Sequence, residues 1–247
     1  MNKLVNSLMT PKSITSKLEA ALTPAGFDIV QPFDIHAYNA FAIENARLPS
    51  FPDFGRGHAL ACMIGNTKSA WAPFLADYKT RYGGLTDHLE NPFDQYSERS
   101  INSALTGIET SHKVRFGHHG GENFVSLLHA SEASRFAKVS PAKLALHPDY
   151  GLWFALRAVV VFDCAPVEHP PKEWTPSCLQ CDAPCERVSQ ELMRRHNDDW
   201  LACSWQERVT VRDACPIGRD ARYSDAQIKY HYSRDKAVLE SFGLPQA

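Results

Sequence analysis

No apolar run in the 247 residues is long enough to span a bilayer, and neither sign of charge dominates: 26 Lys and Arg stand against 28 Asp and Glu, a formal net charge of -2. The first absence excludes a membrane-spanning helix. The second removes the general electrostatic case for nucleic acid or an anionic membrane surface and leaves a small, locally charged ligand as the better fit. Also missing are a nucleophile elbow, a phosphate-cradling Gly-Lys-Ser/Thr loop and a dinucleotide fingerprint, which the pair Gly120-Gly121 does not make. Hydrolase and nucleotidase readings fall away. There is no internal repeat or low-complexity segment, so we expect one elaborate domain. The N-terminus carries Lys3, Lys12 and Lys17 among Ser and Thr but lacks the apolar core of a secretory signal, which favours a cytosolic protein over a mitochondrial one.

What is present is a mixture of helix and strand signals. Apolar runs predict strands at 27 to 35, 58 to 65 and 152 to 163, with a polar strand at 109 to 117 and a further one at 143 to 147. Helical spacing and caps predict helices at 13 to 24, from about 67 to a stop at Gly83-Gly84, from Asn91-Pro92 to Leu105, at 122 to 137, at 186 to 201 and at 224 to 242. The intermixing points to an α+β fold, with a core over about 14 to 165 and a C-terminal cap from about 166 onward.

The strand from Leu152 to Phe162 carries a cation, Arg157, in an otherwise apolar run. An unpaired guanidinium in low dielectric costs several kcal/mol, so Arg157 requires a carboxylate, carbonyl oxygens or an anionic ligand. Arg212, Arg219 and Arg222 with Tyr223 form a second concentration of cations, alone a solvated surface and together with Arg157 an anion clamp. Five of the seven cysteines, Cys178, Cys181, Cys185, Cys203 and Cys215, crowd the C-terminal stretch. Their density suits zinc or an iron-sulfur cluster, and equally reduced structural or redox-active thiols. His118-His119 reads as a solvated turn. His129, on an apolar helix face, is either a satisfied core histidine or a group aimed at a cofactor.

Several stretches together resemble the cobalamin-processing CblC (MMACHC) family: Pro32-Phe33 with Tyr38-Asn39, Ala59 to Leu75, Asp94-Gln95, His147-Pro148 through Gly151, Trp153-Phe154-Ala155, Arg157 to Val160, Arg212-Asp213-Ala214 and Arg222-Tyr223-Ser224. The similarity runs from about Phe27 to about Leu244. It implies a flavin-nitroreductase-like antiparallel sheet with flanking helices and a C-terminal helical cap. It also implies an enzyme that binds base-off cobalamin, removes the upper ligand by decyanation with reduced flavin (FMN) or dealkylation with glutathione, and delivers the product to a downstream trafficking protein. A monomer or weak homodimer is expected.

On that resemblance, Glu122, Asn123, Phe124, Val125, His129, Phe136, Leu146 and Leu156 fall at corrin-contacting positions, and Arg157 and Arg212 at those that engage glutathione. Leu146 stands where familiar members have a cysteine. The cysteine cluster, with Cys178, Cys181, Cys185 and Cys215 as the candidate ligands, departs from animal members and is similar to part of epoxyqueuosine reductase. If it held an iron-sulfur cluster, electrons could reach cobalt without a thiol cosubstrate.

Overall fold

Strand formation begins where small and β-branched residues leave no polar side chain to solvate. In the computed structural model, which describes residues 9–45, 48–82, 90–168 and 172–242, strand β2 (Leu60–Asn66) is buried along its whole length. It lies between β1 (Ile29–Asp34) and β6 (Ala155–Phe162), and β3 (His112–Phe116) closes the other edge, giving the antiparallel order β1-β2-β6-β3. A two-stranded ribbon, β4 (Lys138–Val139) with β5 (Ala145–Leu146), stands apart.

Both faces of the sheet are covered, which is why β2 and β6 read as continuous rather than alternating apolar runs. Ala158, Val160 and Phe162 pack with α1 (Pro11–Leu22), α3 (Trp71–Tyr82) and α4 (Pro92–Leu105), while Val159 and Val161 pack with α2 (Ile35–Glu44) and α5 (Leu127–Ala133). Each buried CH2 contributes about 0.8 kcal/mol, so this twofold burial is the main stabilising term. The C-terminal region adds α6 (Pro184–Arg195), α7 (Trp205–Asp213), α8 (Asp225–Ser233) and α9 (Ala237–Glu240). Tyr230, Val238 and Leu239 of the last two helices enter the core beside α1, α3 and α4.

The antiparallel α+β architecture agrees with the expectation, and several elements differ in extent. The helix expected at 122 to 137 is confined to Leu127–Ala133, because a 3-10 turn at Gly121–Asn123 leads into extended Phe124. The strand expected from 152 starts at Ala155, and that at 143 to 147 reduces to two residues. The helix at 186 to 201 ends near His196, where Asn197 and Asp198 adopt positive φ, and the one at 224 to 242 is broken by Arg234 at φ 57°. The stop at Gly83-Gly84 lies outside the described residues. Two helices were not anticipated. Asp34 caps α2 by accepting from the His36 amide, and Ser204 with Glu207 forms a reciprocal capping box on α7.

Candidate functional site: an arginine cavity at a bulged strand

The pairing of β2 with β6 slips by one residue at a single point. Ile64 faces Ala158 and Gly65 faces Leu156, so Arg157 is the extra residue of a β-bulge. A bulge inverts side-chain parity, and the neighbours record it. Leu156 packs on the α2/α5 face with Val159, whereas Arg157 reaches α4, its guanidinium carbon 4.4 Å from the centre of the Phe93 ring. Gly65 is required here, since a Cβ would come to 2.6 Å from the Ala155 carbonyl oxygen.

Arg157 is only 15% exposed. Its Nε donates to Asn66 Oδ1 at 2.8 Å, and its Nη1 stands 4.0 Å from Asp94 Oδ1, too far for a hydrogen bond. Burial lowers its pKa, opposed by nearby Tyr223 and Asp94. Asp94 is shared, because its other oxygen accepts from Arg234 Nη1 at 3.0 Å. The cation demanded by the sequence is thus only partly neutralised.

Arg157 lines a cavity of about 300 Å³ together with Arg208, Arg212 and Arg234, with Trp153, Phe154 and Tyr223 among the aromatic walls. Four guanidinium groups face one carboxylate. Arg212 donates through Nη1 to the Leu152 carbonyl, but its Nε, the Nε of Arg208 and the Nε2 of His231 are buried without a hydrogen-bond partner. Burial and the fields of Arg157, Arg234 and Arg212 hold His231 neutral, well below its ordinary pKa. Burial also pushes the Tyr223 hydroxyl up to about 12, so it stays protonated. Orphaned buried donors cost about 1 to 3 kcal/mol each, and an anion in the cavity would recover part of that.

Arg157 and Arg212, predicted from sequence to act together, do converge. Arg219 does not line the cavity, and Arg222 is held by Asp213 and Asp225 at 2.7 and 2.8 Å. Trp153, 2% exposed, carries the guanidinium groups of Arg212 and Arg222 at 5.7 and 5.4 Å from its ring centre. Arg208, His231 and Arg234 were missed by sequence reasoning. The four-residue step from Arg208 to Arg212 was the available signal, but it has meaning only once α7 is recognised.

The residues assigned to the corrin lie on the adjoining face. Val125 and Phe136 are buried with Leu156 around the same cluster, and Phe136 meets Phe154, a cavity wall, edge-on at 5.4 Å. Glu122, Asn123 and Phe124 form an exposed turn. His129 is fixed by α2: its ring stacks on Phe41 at 4.0 Å, Ser126 Oγ lies 2.6 Å from its Nδ1, and the Ser126 amide donates to Tyr38 Oη. Leu146 is in a different place, 1% exposed in an apolar cluster with Leu152, Cys185, Cys203 and Cys215.

Cys178, Cys185, Cys203 and Cys215 gather in that cluster as free thiols, while Cys181, also free, lies outside it. Burial raises the pKa of Cys178, Cys185 and Cys215, and the neighbouring thiols raise them further. A tetrahedral zinc thiolate with bonds of about 2.3 Å draws its sulfurs to about 4 Å apart. Among the described residues no three of these sulfurs lie mutually within 4.8 Å. The donor set is therefore not drawn together for a single ion.

The model of the methylmalonic aciduria and homocystinuria type C family matches residues 129–240, which include Arg157, Arg208, Arg212 and Arg234. The chain resembles CblC proteins. Proteins named cyanocobalamin reductase / alkylcobalamin dealkylase are 26% identical in Bos taurus, over 94% of this chain and 82% of that protein, and 26% identical in Homo sapiens, over 96% and 84%. The B12-trafficking protein CblC of C. elegans superposes with a TM-score of 0.72 at 17% identity, covering 94% of this chain and 96% of that one, so the CblC-like chain shares its fold. Among the described residues no helix is long and apolar enough to cross a membrane.

Proposed function

We propose that this CblC-like chain binds cobalamin and removes its upper axial ligand, acting as a decyanase and dealkylase before handing the product to a trafficking protein in the cytoplasm. Relatives bearing that activity in their names support the reaction class. The observation that carries the finer reading is the cavity of four arginines and one aspartate. Glutathione presents two carboxylates, and Arg157 and Arg212 with Arg208 and Arg234 offer forked donors to them.

A thiol held beside these cations is shifted toward thiolate, the nucleophilic form. The thiolate then forms a bond to the alkyl carbon as the cobalt-carbon bond breaks, and that electron pair stays on cobalt. Phe154 joins the anion cavity to the apolar face where Val125, His129, Phe136 and Leu156 would contact the corrin. For decyanation, reduced flavin is the electron donor implied by the resemblance. Leu146, buried among the cap cysteines, would act through packing.

The alternative of a zinc or iron-sulfur centre at Cys178, Cys181, Cys185 and Cys215 has in its favour the shared cluster of Cys178, Cys185 and Cys215, with Cys181 near enough to raise the Cys178 thiol. An iron-containing brown protein after anaerobic purification would favour that alternative. The test of the main reading is optical: methylcobalamin bound to the protein should change its visible spectrum when glutathione is added. An unchanged spectrum with thiol, reduced flavin or any other reductant contradicts the enzymatic claim.

A further inference from the structure

A second polar constellation lies one helical turn along α4 from Asp94. Glu98 Oε1 is met by His118 Nε2 at 2.6 Å and by His119 Nε2 at 3.0 Å. Consecutive side chains in extended backbone point apart, but here the chain has left β3 and turned, with the His119 amide donating to the Phe116 carbonyl at 3.1 Å. Phe116 supports both imidazoles from beneath, at 5.7 and 5.3 Å between ring centres, and the two rings stand nearly perpendicular at 78°. Two imidazole nitrogens and one carboxylate oxygen thus converge from two elements that are separate in sequence.

The three ligand atoms all lie within 4.8 Å of one another, and among the described residues no other group of three or more His, Cys, Asp or Glu does so. Two imidazoles with a carboxylate are a donor set for late first-row divalent ions, which bind such nitrogens and oxygens at about 2.0 to 2.2 Å. Ligand atoms sharing such an ion stand roughly 3 to 3.4 Å apart, so the two imidazole nitrogens, now 2.6 and 3.0 Å from Glu98 Oε1, would move outward through small rotations of partly exposed side chains to admit it. The remaining positions of the ion would face solvent, where Glu98 and His119 are half-buried and His118 is exposed.

We propose that Glu98, His118 and His119 form a binding site for a divalent cation of the zinc class, distinct from both the arginine cavity and the cysteine cluster. The bound ion would tie α4 to the turn after β3 and so fasten the start of the Gly120-Gly121 segment. It requires no change in the packed core.

Titrating the metal-free full-length chain with Co2+ and following its absorption tests this directly. The site predicts one equivalent with weak visible ligand-field bands and no near-ultraviolet sulfur-to-cobalt charge transfer, displaced by Zn2+. Glu98→Gln and the double change His118→Gln/His119→Gln should each weaken that equivalent by about tenfold or more and lower the metal-free melting temperature only by the small amount that losing partly exposed His–carboxylate contacts costs. Cys178→Ser with Cys185→Ser should leave it intact. Undiminished binding in the Glu98 and histidine variants, binding that appears only as thiolate charge transfer, or no binding at micromolar cobalt would overturn the proposal.

Discussion

The arginine cavity and the cysteine cluster adjoin, since Leu144 and Trp200 line the first and pack against the second, and each concentrates one residue type. They differ in what burial leaves undone. In the cavity, Arg208, Arg212 and His231 each keep a buried nitrogen without a partner, and four cations share one carboxylate. In the cluster burial raises the Cys178, Cys185 and Cys215 thiols toward their neutral form, and the cluster packs them with Leu146, Leu152 and Leu192. The same crowding of one residue type thus leaves an uncompensated polar balance in the cavity and a neutral, apolar setting in the cluster.

The change with the largest expected effect strikes a wall of the arginine cavity. Trp153→Ala should cost about 3 to 5 kcal/mol in chemical denaturation, since the ring is buried and carries Arg212 and Arg222. Loss of anion binding beyond what instability explains would sharpen the comparison. Gly65→Ala should cost about 1 to 3 kcal/mol, because its Cβ would displace the Ala155 backbone and with it the bulge that aims Arg157. A neutral result there would break the account of the bulge.

In the cluster, Cys185→Ala and Cys215→Ala should each cost about 1 kcal/mol as buried apolar groups do, and the loss should be the same with and without chelator. A loss that vanishes in chelator would instead make the cluster a metal centre.

The smallest effect concerns pH. His231 is held neutral in the folded protein well below its ordinary 6.5, so the unfolded chain binds the extra proton first as pH falls. Stability is therefore full above about pH 6.5 and declines below it. His147, also lowered by burial, acts in the same direction. Glu207, held down to about 2 by hydrogen bonds from Ser204 and His196, contributes to acid loss in a lower window, between 4.5 and about 2. In melts between pH 7 and 5, His231→Phe should flatten the decline, and an unaltered slope would remove His231 from the explanation.

Much of this was legible beforehand. The apolar run around Arg157 announced both a central strand and a buried cation, and the convergence with Arg212 followed. The bulge was not legible, because parity alone puts Arg157 on the face of Val159; only the pairing partner reveals the slip. Helix α2 was obscured because Ile35 to Glu44 lacks a clear apolar stripe, although Asp34 was a readable cap, and with it went the support of His129 by Tyr38 and Phe41. Arg234 was hidden by its own left-handed backbone, which ends α8 and turns the side chain to Asp94.

The most direct measurement compares Arg157→Ala with the unaltered chain in two assays, methylcobalamin affinity and the rate of glutathione-dependent dealkylation. Losing a charge-assisted contact worth about 1.5 to 3 kcal/mol predicts a roughly 10- to 100-fold lower dealkylation rate at subsaturating glutathione, with cobalamin affinity nearly unchanged. Equal loss of both, or of neither, would contradict the assignment of Arg157 to an anionic thiol.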